Sequence, residues 1–564
     1  MASIYIPGLI ALIVFYLLIL AVGIFAAWWK TRKNIDRDGS ETVIVASRDI
    51  GLFVGVFTMT ATWVGGGYIN GTAEYVYLYG ILWAQAPVGY ALSLVLGGLF
   101  FAGPMRKAQY LTMLDPFQQK YGNRMGGLLY LPALCGELFW SAAILNALGS
   151  SVSVIMQLDY QVAVVISACI AVFYTFFGGL YSVAYTDVLQ LFCVAFGLSL
   201  SVPFAWHNQN VHMGLDVSSP NATAHPDTRW IGKIDADQIG PYIDSFLLLI
   251  CGGLPWQVYF QRVLSVSSVW KAQALSFFGA LGCIVMVVPA VLIGVVAQRT
   301  DWNSSDLAAA GFELAHFADN TQAVLPYVLR YLTPTAVAFF GLGAVSAAVM
   351  SSSDSSILSA SSMFAHNIYR MIIRQTASDR EIIWVLRVAI VICGAIATII
   401  GLKVKSVYAL WFLSSDFVYV TLFPQLVAVI YLPFVNSYGV LAGFSIGLLV
   451  RLLGGDESLG LPAAINFGNF PFKTLATLLN LAATMAVSLL LRWLFASAKV
   501  VPLRCDVLRA FADDFTAAAS PVVSVPVKNS FEMTEKQKQF HPAEISSMDF
   551  RNTKHGIGNQ AFAL

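Results

Sequence analysis

The chain has 564 residues, 58% of them hydrophobic and only 11% charged. A soluble domain keeps about a quarter of its residues charged, so this chain cannot cover its own surface in water and must face lipid. A formal net charge of +1 gives no electrostatic footing for nucleic acid.

A membrane-crossing helix needs ~20 apolar residues. Runs of that kind are predicted at 8–29, 49–71, 81–103, 125–152, 160–180, 186–206, 240–260, 272–297, 325–364, 382–402, 406–433, 437–453 and 471–496. The expectation is an all-α membrane protein with about 13 transmembrane helices. The first run lacks a preceding basic segment and is too long for a signal-peptide core, so it is read as a retained span. Lys30, Arg32, Lys33, Arg37 and Arg48 follow the first span, Arg106, Lys107, Lys120 and Arg124 the third, Arg262 and Lys271 the seventh, and Arg370, Arg374 and Arg380 the ninth. Basic loops stay cytosolic, so the N-terminus is expected outside and the tail in the cytosol. Acceptor sequons at Asn221 and Asn303 then fall outside, where glycosylation is possible. A third, at Asn70, hugs the membrane. The tail, 499–564, mixes charge with Ser, Pro and Gln and reads as disordered, with possible trafficking partners.

The second span is interrupted at Thr60-Ala61-Thr62-Trp63-Val64-Gly65-Gly66-Gly67. The seventh is interrupted at Cys251-Gly252-Gly253-Leu254-Pro255-Trp256. The two breaks lie five spans apart. Five is odd, so a repeat of that length starts from the opposite side of the membrane the second time. Glycines alone can serve close helix packing. Paired Gly/Pro breaks in corresponding spans point instead to a transporter binding site, because exposed backbone carbonyls at membrane depth must line a cavity.

Between the breaks, Asp187 opens the sixth span, read either as a helix N-cap or as part of an ion path. In the ninth span, residues 348, 351, 352, 355, 359 and 362 share one helical face, five of them serine. Hydroxyls and carbonyls suit a small alkali cation, and Asp354 within that span needs a partner or a cation. Asp244 and Asp416 lie near outer span ends, as solvated groups or gating contacts. Gly443-x-Ser445-x-Gly447 matches a hydrolase motif but lacks its strand–turn–helix setting. With Gly439 it forms a small-residue packing stripe, and no enzyme is expected. There is no phosphate-binding loop. The cysteines, six of them in apolar runs, read as buried small hydrophobes rather than a disulfide framework. The histidines are assigned to loops and tail, without ligand spacing, so no transition metal is expected.

Together, the Trp63-to-Tyr68 break, Gly178 to Gln190 and Ala344 to Ser362 resemble the sodium:solute symporter family, over about residues 5–500. Thr58 to Glu74 and Gly341 to Phe364 resemble its choline-carrying members. The resemblance implies a LeuT-type five-plus-five inverted-repeat core at 49–433, with repeats at 49–206 and 240–433. A first span and cytosolic loop (1–48) would precede it and two spans (434–498) would follow. It implies sodium-driven, chloride-dependent choline uptake supplying acetylcholine synthesis, in the plasma membrane of presynaptic terminals and in recycling vesicles. It implies a sodium site at the carbonyls of Ala61 and Val64 with Ala348, Ser351 and Ser352, and a second ion position near Asp187, Asp354 and Ser355. It implies Trp63, Tyr90, Trp140, Trp256 and Trp411 as the substrate cage. Choline's quaternary ammonium cannot donate an N–H hydrogen bond, and aromatic faces are its fitting host. The alternative is a sodium symporter for another small organic solute, and no cofactor is expected.

Overall fold

The computed structural model describes residues 5–511 except 33–39, 178, 213–229, 310, 319, 457–458, 498–501, 503–504 and 509. Asn221 and nearly all of the tail lie outside the described residues. Met1–Ala510 form one compact unit. The described residues are helical, with isolated bridges and no sheet.

In chain order the main helices are α1 (Ile6–Arg32), α2 (Leu52–Trp63), α3 (Gly66–Tyr79), α4 (Ala86–Leu96), α5 (Asn123–Met156), α6 (Tyr160–Phe177), α7 (Leu180–Trp206), α8 (Ile239–Gly252), α9 (Gln257–Leu264) and α10 (Val269–Gln298). They continue with α11 (Thr335–Met363), α12 (Asp379–Lys403), α13 (Val407–Thr421), α14 (Phe423–Tyr431), α15 (Ser437–Leu453) and α16 (Phe472–Arg492). Among the described residues, nine helical segments are long and apolar enough to cross a membrane, or up to 11 if each bent pair is one span. The bent pairs are α2–α3, at 45°, and α13–α14, at 42°. The other two expected spans are the shorter apolar helices α6 and α15.

Burial sorts the helices. From Gly341 to Met363, α11 is buried on every face. It packs against α7, α5 and α1, which makes it the axis of the unit. Exposed Leu281, Ile399 and Phe173 on outer helices present apolar surface to lipid. The glycine stripe of α15 is a packing device: a Cβ at Gly443 would stand 2.0 Å from Thr484 Oγ1 of α16.

Several expectations are corrected. The ninth span does not begin at 325. Val324–Tyr331 is a separate helix, and Pro334, extended at φ −58°, ψ 151°, starts α11 afresh. Asp187 is not an N-cap: α7 begins at Leu180 after extended Gly179, and Asp187 lies two turns in. Arg262 is not a loop residue but sits wholly buried in α9. His366 belongs to the helical continuation of α11 at Phe364–Ile373. Only Cys283 and Cys393 are buried; Cys135, Cys169 and Cys505 are exposed and Cys193 and Cys251 half-buried. In a lipid-facing helix a thiol needs no protein around it to stay out of water.

Candidate functional site

The first break is confined to Val64 and Gly65, which leave helical geometry between α2 and α3. Gly66 and Gly67 are already helical. Glycine is needed here for close approach: a Cβ at Gly65 would lie 1.4 Å from Ser352 Oγ, and one at Gly66 2.1 Å from Val349 Cγ2. The break is thus pressed onto the serine face of α11. The second break runs from Gly253 to Trp256, with Gly252 ending α8 and Pro255 inside it. A Cβ at Gly252 would stand 2.4 Å from Ser415 O of α13, and one at Gly253 2.7 Å from the ring of Tyr90.

All five expected cage aromatics are buried, and they close into one ring. Ring centroids lie 5.0 Å apart for Trp63–Tyr90, 5.3 Å for Tyr90–Trp411, 5.7 Å for Trp411–Trp140, 5.3 Å for Trp140–Trp256 and 4.9 Å for Trp256–Trp63. A further contact, Tyr90–Trp256 at 5.5 Å, folds the ring across itself. The Tyr90 hydroxyl bonds Ser415. Trp63 Nε1 and Trp256 Nε1 have no hydrogen-bond partner among the described residues. Tyr68 and Tyr408 flank Trp411 at 5.4 and 5.5 Å. Sequence reasoning placed neither in the cage: Tyr408 adjoins no break, and Tyr68, just past the first, was read only as its end.

Beside the ring, where the first break meets α11, oxygen atoms gather. The last four carbonyls of α2 have no intrahelical amide to serve. That of Ala61 is among them, and the Val64 carbonyl follows in the break itself. Ser352 donates to the neighbouring Thr62 carbonyl (3.2 Å), and Ala348 O is 3.5 Å from where a Gly65 Cβ would be. Hard oxygen donors and the partially negative end of a half-helix favour a small cation.

Ser351 points elsewhere, donating to Asp187 Oδ1 (2.5 Å), while Thr58 of α2 donates to Asp187 Oδ2. Asp354 accepts from Thr175 of α6 (2.9 Å), and its Oδ2 is unpartnered among the described residues. Beside Asp187 stands Arg262. Its Nη2 donates to Ser355 and lies 3.9 Å from Asp187 Oδ2. Its Nη1 donates to Gln261 (3.1 Å), which accepts from Ser359 (2.9 Å). Buried Glu137 accepts from Ser356 of α11 (3.0 Å). The expected second ion position thus holds a tethered guanidinium. The sequence signal for Arg262 was its closeness to the second break; for Glu137 there was none beyond a lone charge in an apolar run.

Asp244 and Asp416 are buried, not solvated. Asp244 of α8 caps α16, accepting from the Thr474 amide (2.7 Å) and hydroxyl (2.6 Å). Asp416 of α13 takes Arg451 through three bonds of 2.6–2.9 Å and Lys473 at 2.9 Å. Asn70 is buried against Ala147 O (3.2 Å) and closed to glycosylation, whereas Asn303 is exposed.

A model of the sodium:solute symporter family matches residues 43–447. The chain is 54% identical over 520 residues to the high affinity choline transporter 1 of Homo sapiens, covering 90% of this chain and 88% of that one. It is 53% identical to the Drosophila melanogaster high-affinity choline transporter 1, over 88% of this chain and 80% of that one. In structure it is similar to a sodium-coupled sialic acid symporter in a substrate-bound, outward-open state. That TM-score is 0.69, at 17% sequence identity, covering 86% of this chain and 97% of that one.

Proposed function

This chain belongs to the sodium:solute symporter family, and we propose that it carries choline into the cell together with sodium, by alternating access. It is a transporter, not an enzyme. The observation that carries the substrate assignment is the closed ring of Trp63, Tyr90, Trp140, Trp256 and Trp411. Rings that face a desolvated cation contribute up to ~2 kcal/mol each. A sugar or a carboxylate would call for hydrogen-bonding or cationic groups there. The unpartnered indole N–H groups of Trp63 and Trp256 are free to donate to the one hydroxyl that choline has.

Sodium is assigned to the carbonyls of Ala61, Val64 and Ala348 with the hydroxyl of Ser352, joined by that of Ser351 once it turns from Asp187. Binding there pins the α2–α3 break against α11 and so sets Trp63 in the ring. The ring admits a trimethylammonium group once the Tyr90–Trp256 contact opens. Closure at the outer face and opening at the inner face then release both into the cytosol. Each positive charge moving inward gains ~2.3 kcal/mol per 100 mV, so choline's own charge is also pulled. Arg262 sets one positive charge beside Asp187 and Ser355, so the second ion position near Asp187, Asp354 and Ser355 is shared with that guanidinium.

The proposal extends to chloride dependence, acetylcholine supply and presynaptic plasma-membrane and vesicle residence. It includes an outside N-terminus, a glycan at Asn303, and a cytosolic tail for trafficking proteins. Labelled-choline uptake into expressing cells, with sodium and chloride replaced in turn, tests it. Saturable uptake lost without sodium supports it; uptake indifferent to sodium overturns it.

A further inference from the structure

An apolar groove of about 720 Å³ runs along the outer face of the unit between α6 and α12. On α6 it is lined from Val165 to Phe176, and on α12 from Val391 to Leu402. Eleven residues of helix rise about 17 Å. That is roughly half of a ~30 Å hydrocarbon core, the depth of one leaflet. A Cβ at Gly394 would come within 2.2 Å of Val172 Cγ2, so the helices touch along the groove floor while Phe173 and Ala395 stay exposed on its rim.

The groove has a cationic end. Residues 391, 395, 398 and 402 form one stripe of α12, and Arg387 occupies the same stripe one turn earlier. Its guanidinium stands 5.5 Å from the Phe176 ring centroid, at the end of the groove, and 5.2 Å from that of Trp384. It has no hydrogen bond or ion pair among the described residues. Trp384 is exposed and Arg387 half-buried. An arginine held on two aromatic faces two turns into α12 keeps its N–H donors unspent, and a planar fork of donors matches a phosphate. Arg370, Arg374 and Arg380 cluster where the continuation of α11 ends and α12 begins, the mark of the cytosolic leaflet, where anionic lipids reside.

We propose that this groove is a binding site for an anionic glycerophospholipid, with one acyl chain between α6 and α12 and the headgroup phosphate on Arg387. The occupant braces α6 beside Thr175, the residue whose hydroxyl holds Asp354, so the lipid steadies the buried cluster from outside.

The test uses the purified full-length protein in nanodiscs of phosphatidylcholine, with and without phosphatidylserine. Retained lipid is counted by native mass spectrometry, and melting temperature is followed in parallel. The wild type retains phosphatidylserine in preference to phosphatidylcholine and melts higher with it. Arg387→Gln loses that preference about fivefold and its melting temperature no longer responds, whereas Arg387→Lys keeps most of both. Ala395→Trp, which fills the groove, loses retained lipid of either kind. Inorganic phosphate displaces nothing. Equal retention in wild type and Arg387→Gln, no preference in the wild type, or displacement by inorganic phosphate overturns the proposal. None of these readings depends on choline transport.

Discussion

Replacing Trp256 by leucine separates cation recognition from packing. Trp256 contacts Trp63, Tyr90 and Trp140 at 4.9, 5.5 and 5.3 Å, so it faces the interior of the ring from the second break. Leucine keeps much of the apolar bulk and removes the π face. A desolvated cation–π contact is worth up to ~2 kcal/mol, or about 30-fold in affinity. Trp256→Leu is therefore expected to weaken choline binding about that much, while Trp256→Phe loses less because it retains a face. The assay is half-saturation of labelled choline uptake, normalised to surface protein, with competition by the uncharged isostere 3,3-dimethylbutan-1-ol alongside. The isostere, lacking charge, should lose far less in the leucine variant. Unchanged choline affinity in Trp256→Leu, or equal losses for choline and the isostere, refutes the aromatic-cage reasoning.

Other substitutions probe the rest of the site. Gly65→Ala drives a methyl group into Ser352; uptake should vanish and a lengthened ion site should raise the sodium needed for any residual transport, so normal sodium dependence contradicts the assignment. Arg262→Met leaves Asp187 buried without its cation, a loss of about 3–5 kcal/mol, which thermal unfolding should register. Adding Asp187→Asn should restore much of the stability, and failure to do so would show that the two residues do not act as a pair. Asp416→Asn breaks the Arg451 and Lys473 contacts that tie α13, and with it Trp411, to α15 and α16; choline half-saturation should rise with sodium dependence unaltered, and a purely sodium-linked defect would refute that division. Lys120, on the short helix Asp115–Tyr121, donates to the Leu432 carbonyl just past α14 (2.7 Å). Burial moves its ammonium from 10.5 down to about 8. The unfolded chain binds the extra proton between those values, so the group's contribution to stability rises with pH through that window. Lys120→Gln should flatten this rise in melting experiments, and an unchanged slope would refute it.

Local chemistry made the helix breaks legible. Glycine beside tryptophan in two spans an odd number apart has few other uses, and the chain leaves helical geometry inside both expected segments, although Gly66 and Gly67 are helical and Gly252 closes α8. The serine face was legible for the same reason, since five hydroxyls on one stripe need a purpose. Convergence was not. Tyr90 and Trp140 lie mid-helix with no local mark, and only family likeness grouped them with Trp63, Trp256 and Trp411. Arg262 was misread because a positive charge after an apolar run signals a cytosolic loop. A helix that resumes after a break carries that charge back into the core instead. Asp187 was misread because five of the seven residues of α7 before it are small, aromatic or polar rather than strongly apolar, which hid the true helix start. The separation of Val324–Tyr331 from α11 hangs on Pro334, which an apolar count passes over.

The most direct measurement is choline accumulation in proteoliposomes made with this protein alone. The account predicts that an inward sodium gradient drives labelled choline above its external concentration, that collapsing the gradient releases it, and that an inside-negative potential increases it. Equal accumulation with and without the gradient, or equilibration without accumulation, would contradict a sodium-coupled choline symporter.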